Sequence, residues 1–180
     1  MSKKYGLGVI VGRFQIVHKG HVQVIEEGIK DCEEFAILVG SSQEERTAKN
    51  PFSYQEREAV LKAAFPDAKV FPLPDIGVGN CEKWGDYVVS KVEEYLARKP
   101  DVFYSGDEDR RKSWLDPGLG IKEVFVPKEI DISSTQMKAF LEAGDEESWN
   151  RFSAAPTVAN FAEIRAIIKQ TRDNDNTQSI

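Results

Sequence analysis

The stretch that decides the fold is Gly6-Leu7-Gly8-Val9-Ile10-Val11-Gly12-Arg13-Phe14-Gln15-Ile16-Val17-His18-Lys19-Gly20-His21. Its apolar first half predicts a buried β-strand. Apolar residues then recur at helical spacing, at Val22, Ile25, Ile29 and Cys32. The turn between this strand and this helix carries His18 and His21, the only two histidines of the chain. Because unpaired N–H groups and the helix dipole attract anions to a helix N-terminus, the turn predicts a phosphate site.

The alternative interpretation is that both histidines are ordinary turn and surface residues. Arg13 and Lys19 lie in the same turn, so four basic side chains come from one short segment. This concentration of basic groups favours the phosphate site.

Length and composition indicate a globular protein with one core. The chain has 180 residues, of which 41% are hydrophobic and 30% are charged. No apolar run approaches the roughly 20 residues that a membrane helix needs. The net charge of −6 argues against general nucleic-acid binding, which depends on neutralising many phosphates. Cys32 and Cys81 have neither metal-ligand nor disulfide spacing, which is typical of a protein of the reducing cytoplasm. Together, these features predict a cytoplasmic protein without membrane or nucleic-acid partners.

Strands and helices alternate along the first two thirds of the chain. Short apolar runs predict five strands, at Leu7–Val11, Phe35–Val39, Lys69–Leu73, Val102–Tyr104 and Glu123–Val126. Helical patterns lie between them, at His21–Cys32, Tyr54–Phe65, Trp84–Arg98 and near Asp109–Leu115. A capping box of Ser53 and Glu56 marks the start of the second helix. The alternation predicts an open five-stranded parallel sheet with helices on both faces.

The last third of the chain is predicted to be a C-terminal helical extension. Its helical pattern runs from Ser134 to about Lys169, with Pro156 near a helix N-terminus. We expect a single domain over residues 1–171, with a sheet core over about 5–127 and a helical part over about 133–171. The polar residues 172–180 predict a flexible tail.

Polar loops follow three of the predicted strands. They are the histidine turn, the loop Gly40-Ser41-Ser42-Gln43 and the loop Tyr104-Ser105-Gly106-Asp107. Ligands of open parallel sheets bind beyond the carboxyl ends of the strands, so the three loops predict one crevice. Any α/β protein has such loops, and each loop alone is weak support.

A second basic cluster is Ile132-Ser133-Ser134-Thr135-Gln136-Met137-Lys138. Ser133 as N-cap and Gln136 at the third helical position predict a capping box, and Lys138 lies one turn after Ser134. Amides, hydroxyls and an ammonium on one face suit a polyphosphate. An ordinary capped helix with a surface lysine fits this segment equally well.

The two clusters together resemble the class I nucleotidyltransferase superfamily, through an HxGH turn and a segment similar to SSTxxR. Within that superfamily, Gly12-Arg13-Phe14-Gln15 resembles the archaeal-type nicotinamide-mononucleotide adenylyltransferases. Further matches follow in the same order, at Gly40–Glu44, Asn50–Ser53, Glu56-Arg57, Asp75-Ile76, Trp84, Tyr104–Gly106, Gly144 and Trp149. The chain departs from the usual pattern at Ile16, where many members have proline, and at Lys49 and Lys138, where arginine is common. Lysine keeps the charge but gives up the bidentate geometry that matches phosphate.

The resemblance implies a Rossmann-like fold and an enzyme that joins ATP to nicotinamide mononucleotide (NMN), giving NAD and pyrophosphate. Such a transfer depends on positioning and electrostatics. It also implies that Mg²⁺ is held mainly by the ATP phosphates, with no protein metal site. The acidic run Asp107-Glu108-Asp109 is then interpreted as a solvated loop.

The resemblance also assigns residues to roles. Catalytic roles fall to Arg13, His18, His21 and Lys138. ATP binding falls to Gly12, Phe14, Gln15, Lys49, Gly106, Asp107, Ser133, Ser134 and Thr135. NMN binding falls to Ser41, Asp75, Asn80 and Trp84, with Trp84 stacking on the nicotinamide ring. A core tryptophan on an amphipathic helix is the alternative interpretation of Trp84.

Two other functions stay open at this point. One is a nucleotidyltransferase of the same fold with another acceptor, such as a pantetheine-phosphate adenylyltransferase or a cytidylyltransferase. The other is a non-catalytic regulator that binds ATP or NAD. The preference between nicotinamide and nicotinate mononucleotide is also open, and so is the choice between a monomer and the homo-oligomers that relatives often form.

Overall fold

Five parallel strands form one sheet in the computed structural model, which describes residues 2–77, 82–106, 115–127, 129–158 and 160–178. The strands are β1 (Tyr5–Gly12), β2 (Cys32–Gly40), β3 (Lys69–Leu73), β4 (Val102–Ser105) and β5 (Lys122–Phe125). Their order is β3-β2-β1-β4-β5, and every pairing is parallel. The chain order therefore reverses at β1, between β2 and β4. In such sheets, this reversal opens a crevice at the carboxyl ends of the strands.

Seven α-helices are described around the sheet. Three lie between consecutive strands of the chain: α1 (Lys19–Asp31), α2 (Tyr54–Ala64) and α3 (Glu82–Leu96). Four lie in the C-terminal part: α4 (Ser134–Ala143), α5 (Glu146–Phe152), α6 (Ala155–Val158) and α7 (Phe161–Gln178). A single 3₁₀ turn, Pro117–Leu119, precedes β5. None of the described helices is long and apolar enough to cross a membrane.

The side chains of the sheet alternate between two apolar layers. Leu7 and Val9 of β1 pack with α3 on one face, where Val88 and Val92 are fully buried. Ile10 points to the opposite face, which α1 and α2 cover. A third apolar cluster lies within the C-terminal helices, around Met137, Leu141, Trp149 and Ile168. The expected open parallel sheet with helices on both faces and a helical extension is therefore confirmed.

Most element boundaries differ from the predicted ones by one to three residues. Helix α1 begins at Lys19 instead of His21, because His18 is its N-cap in an extended conformation. Helix α3 begins two residues before the predicted Trp84 and ends at Leu96, where Ala97 takes a φ of +57° and stops it. The helix predicted near Asp109–Leu115 falls mostly on residues 109–114, which lie outside the described residues.

The C-terminal part is helical, as predicted, but helix α7 continues beyond the expected end near Lys169. Residues 172–178, which polarity predicts to be a flexible tail, are its last turns. Thr171 is 2% exposed and its hydroxyl donates to the carbonyl oxygen of Ile168. Arg172 pairs with Glu142 of α4 at 3.3 Å. The burial of Thr171 shows that α7 still packs against the rest of the molecule where the sequence offers no apolar pattern. The single-domain organisation stays a prediction.

Candidate active site

The two histidines form a stacked pair at the start of α1. Their ring centroids are 3.8 Å apart with an interplanar angle of 20°. The carbonyl of His18 accepts hydrogen bonds from the N–H groups of His21 (2.8 Å) and Val22 (3.1 Å), as an N-cap residue does. Phe14 also contacts the His21 ring in a T-shaped arrangement, with centroids 5.1 Å apart. His21 thus packs against two rings, half-buried, at the positive end of the helix dipole.

The glycine between the histidines allows the turn to pack against the segment that begins α4. A Cβ at Gly20 would lie 3.2 Å from the ring of His18 and 3.3 Å from Ile132. The main chain of the turn is held from another side as well, since the N–H of Ala154 donates to the carbonyl of Val17 (3.1 Å). The HxGH turn therefore lies next to Ile132, the residue that precedes the Ser133-Ser134-Thr135 segment. That both histidines share one pocket with this segment stays a prediction.

A cavity of about 130 Å³ opens beside the N-terminus of α4. Its walls are formed by Arg13, Gln15, Lys49, Ser134, Thr135 and Lys138. Among the described residues, this lining combines three cationic residues with two hydroxyl-bearing ones and contains no acidic residue. The first turn of α4 adds the positive end of its dipole. The cation cavity, as we call it below, has the chemistry of an anion site.

The N-terminus of α4 is capped by Ser133, whose Oγ accepts from the N–H of Gln136 at 3.3 Å. The expected return bond differs. The Ser133 hydroxyl donates to Oε1 of Gln136 at 2.7 Å, so that side chain bonds to the cap hydroxyl. The predicted N-cap is confirmed, while the bond from the main-chain N–H of Ser133 to Gln136 is not among the contacts described.

Lys138 reaches from α4 across to the loop between β2 and α2. Its Nζ donates to the carbonyl of Ala48 at 2.8 Å, next to Lys49. Burial lowers the pKa of Lys138, and the positive charge of Arg13 lowers this pKa further. The cations of the cavity therefore repel one another in the absence of an anion, and a bound anion relieves this repulsion.

Three residues predicted to contact ATP, Gly12, Phe14 and Gln15, lie together at the end of β1, and the side chain of Gln15 joins this segment to the loop before α2. Gln15 is 7% exposed; its Nε2 donates to Oδ1 of Asn50 (3.3 Å), and its Oε1 accepts from the N–H of Phe52 (3.0 Å). Phe14 is buried, and a Cβ at Gly12 would lie 2.9 Å from the ring of Phe14. Their contacts organise the framework of the site, and direct contact with ATP stays a prediction.

The residues predicted to bind NMN are spread along the other loops. Ser41 is buried at the end of β2 with a φ of +49°. The exposed Asp75 follows β3, and its N–H donates to the side chain of Gln43 at 3.0 Å. Trp84 is half-buried, packs 5.5 Å from Tyr87 and belongs to the apolar layer around α3. These contacts support the alternative interpretation of Trp84 as a core residue.

Gly106 directly follows β4, and a Cβ at this position would lie 3.1 Å from Val24 of α1. The loop after β4 therefore passes close to the helix that carries the histidines. Asn80 and Asp107, also predicted site residues, lie outside the described residues. Within the part of the chain that is described, no group of three or more His, Cys, Asp or Glu side chains is arranged to hold a metal ion.

Arg57, for which the sequence predicts no role, joins the turn after β1 to the loop after β2. It is 2% exposed, and its Nη1 donates to the carbonyls of both Arg13 and Gly40 at 2.9 Å. The available signal was its position on α2 four residues before the fully buried Leu61, which is on the same helix face.

Comparisons with known proteins agree with this geometry. The model of the cytidylyltransferase-like family matches residues 9–147. The curated nicotinamide-nucleotide adenylyltransferase of Thermococcus kodakarensis is 30% identical over 89% of this chain and 84% of its own. That of Saccharolobus solfataricus is 30% identical over 88% of this chain and 91% of its own. That of Thermoplasma acidophilum is 25% identical over 98% and 99% of the two chains.

Solved structures with the same fold are also found. A bifunctional NMN adenylyltransferase/ADP ribose pyrophosphatase from Francisella tularensis superposes with a TM-score of 0.74 at 18% identity, over 97% of this chain. A NadR protein in complex with NAD and AMP-PNP superposes with a TM-score of 0.56 at 19% identity, over 87% of this chain. The chain spans about half the length of these two solved chains, 55% and 47% respectively.

Proposed function

The chain belongs to the cytidylyltransferase-like family and, within it, to the nicotinamide-nucleotide adenylyltransferases, and from this we propose that it joins ATP and NMN to give NAD and pyrophosphate. The observation that carries the proposal is the cation cavity at the N-terminus of α4. The stacked histidines of α1 are not among its lining residues, but Gly20 between them approaches Ile132, two residues before α4. The three cations of the cavity suit the triphosphate of ATP.

The residues of the cavity are proposed to bind the phosphates that leave. Arg13, Lys49 and Lys138 would neutralise the β- and γ-phosphates, while Ser134 and Thr135 offer hydroxyl and N–H donors. Charge develops on the oxygen between the α- and β-phosphorus atoms as the bond breaks. Fixed donors that face this oxygen lower the barrier because they need no reorganisation at the moment of reaction.

His21 is proposed to face the α-phosphate. Its ring is fixed by His18 and Phe14 at the helix N-terminus, which favours negative charge. The 5′-phosphate of NMN attacks the α-phosphorus in line with the leaving pyrophosphate, and no protein nucleophile is required. The contribution of the chain is to align two anions that would otherwise repel each other.

Magnesium is proposed to arrive with ATP. The described residues that line the cation cavity are positively charged or neutral, so we expect a divalent ion there to take its ligands mainly from the phosphates and water. A related protein from Francisella tularensis is described in complex with AMP and a manganese ion. Supplied in this way, a divalent ion would offset the negative charge of the phosphates.

The proposal is tested by pyrophosphate release from ATP and Mg²⁺ with each of several phosphorylated acceptors. We expect release with NMN or nicotinate mononucleotide, and the ratio of the two kcat/KM values gives the preference between them. CTP replaces ATP in a parallel series, and pantetheine phosphate replaces NMN. Faster release with either replacement would contradict the proposed substrates. Tight ATP binding without release for any acceptor would make the chain a nucleotide-binding regulator.

A further inference from the structure

A buried arginine joins the two loops that leave β1 and β2. Arg57 lies in the first turns of α2, and its Nη1 donates to the carbonyls of Arg13 and Gly40, both at 2.9 Å. Its Nη2 donates to the carbonyl of Ser41 at 3.1 Å, and its Nε to that of Ser53 at 3.1 Å. One planar group therefore fixes the carboxyl ends of both strands to the N-terminus of α2.

The environment of this guanidinium does not explain it as a stabilising core residue. Its four hydrogen bonds among the described residues all go to neutral carbonyl oxygens. Burial lowers the pKa of Arg57, and the nearby charge of Arg13 acts in the same direction, whereas the charges of Asp75 and Glu56 raise this pKa. Burying a cation costs free energy that hydrogen bonds to neutral carbonyls offset only in part. What arginine provides here is a fixed arrangement of donors.

The loops that Arg57 binds contain two unfavourable main-chain conformations. Phe14 has a φ of +48° and Ser41 a φ of +49°, values that residues with a Cβ rarely adopt. Such conformations persist where the surrounding structure holds them. Arg57 binds the carbonyl just before Phe14 and the carbonyl of Ser41 itself. It therefore acts at both of these positions.

We propose that Arg57 is a positioning residue, which directs the side chain of Arg13 into the cation cavity by holding the Arg13 carbonyl. The side chain of Arg13 lines the cavity together with Lys49 and Lys138. The main chain of the same residue is bound by Arg57. This inference rests on the proposed function, because the phosphates that Arg13 meets are those of ATP.

Two substitutions separate the charge of Arg57 from its geometry. Arg57→Lys keeps a cation but cannot donate to four carbonyls from one planar group, and Arg57→Met removes both properties. Because a displacement of about 1 Å can slow a reaction about 10²-fold, we expect both variants to lose about 10²-fold in kcat well below their melting temperatures. The matched control is Val92→Ala, a buried change in α3 on the other face of the sheet. It is expected to lower the melting temperature and leave kcat unchanged.

A double-mutant cycle tests whether Arg57 acts through Arg13. If it does, Arg57→Met added to Arg13→Ala changes kcat by less than about twofold, because the positioned group is already absent. Independent, multiplying losses would overturn the proposal. A lower melting temperature with unchanged kcat in both Arg57 variants would overturn it too. Failure of both variants to fold would have the same consequence, since Arg57 would then serve stability.

The proposed function and the positioning role fail in different ways. If the unsubstituted protein binds ATP but releases no pyrophosphate, the proposed reaction is wrong. Calorimetric ATP affinity of the same variants then tests the positioning role in place of kcat. We expect Arg57→Met to weaken ATP binding in the presence of Arg13 and to have little effect in the Arg13→Ala background. Equal weakening of ATP binding in both backgrounds would contradict the positioning role of Arg57.

Discussion

His21 is the residue whose surroundings are most clearly arranged for a task. The centroid of its ring is 3.8 Å from that of His18 and 5.1 Å from that of Phe14, and its Nδ1 accepts a hydrogen bond from the N–H of His18 at 3.5 Å. We expect His21→Ala to fold normally and to lose about 10²–10³-fold in kcat, the loss typical of one preorganised donor. Pyrophosphate release measures the loss, and circular dichroism checks the fold.

The control for this substitution lies two residues further along the same helix. The side chain of Gln23 bonds to the carbonyl of Pro127 and the N–H of Glu129, on the outer side of α1. Gln23→Ala is expected to leave kcat unchanged. Near-normal turnover in His21→Ala would remove this residue from the mechanism.

We expect ATP affinity to depend on pH through the protonation of Lys138. Burial and the charge of Arg13 lower the pKa of Lys138. A bound triphosphate favours the ammonium form and raises this pKa, so binding takes up a proton once the free side chain is neutral. ATP affinity is therefore expected to be full below the pKa of the free protein and to fall as pH rises through it. Calorimetry from about pH 7 to 11 measures this fall.

Lys138→Arg is the matched variant for that measurement. A guanidinium stays charged over the whole range, so the fall in ATP affinity is expected to move to higher pH. Identical pH profiles for the two proteins would show that Lys138 does not set the dependence.

At the scale of secondary-structure elements, α1 and the segment before α4 approach closely because Gly20 has no side chain. Alanine is a better helix former than glycine by roughly 0.5–1 kcal/mol. At Gly20, however, a Cβ would lie 3.2 Å from the His18 ring and 3.3 Å from Ile132. We expect Gly20→Ala to displace one of these groups and to lower kcat about tenfold or more. Kinetics and urea unfolding together measure the two effects.

The opposite outcome for Gly20→Ala is equally informative. Higher stability with unchanged kcat would mean that the approach of the two elements is not needed for turnover. Lower stability with unchanged kcat would limit the role of Gly20 to packing.

The elements themselves were largely predictable from the sequence, because burial imposes a period on the apolar residues. All five strands and the three helices between them that the structure describes follow such patterns. Their ends depend on single main-chain conformations, such as the positive φ of Ala97 after α3. The polar sequence does not predict the continuation of α7 beyond Lys169, and the pairing of Arg172 with Glu142 there joins residues that no local pattern connects.

The basic groups of the site were predictable from motifs, whereas their arrangement was not. The bond between Arg57 and Arg13 joins residues 44 positions apart, and that between Lys138 and Ala48 joins residues 90 positions apart. Composition and periodicity carry no information about such pairs. For this reason the sequence indicated a phosphate site but gave no role to Arg57.

The whole molecule combines an acidic surface with a basic cavity. The net charge is −6, yet three cations line the cation cavity. They come from the turn after β1, the loop before α2 and the helix α4, which are far apart in the chain. An anion bound there bridges three separate parts of the fold. Binding and global stability are therefore expected to be coupled.

This coupling predicts a thermal shift. A ligand at 100 times its Kd stabilises the folded state by about 2.7 kcal/mol, which corresponds to about 5–10 °C for a chain of this size. We expect Mg²⁺ and ATP to raise the melting temperature by that amount. Inorganic tripolyphosphate should raise it less, because it lacks the adenosine. In Lys138→Ala the tripolyphosphate shift should disappear, whereas in Lys62→Ala, an exposed substitution in α2, it should remain. A full tripolyphosphate shift in Lys138→Ala would mean that the phosphates bind elsewhere.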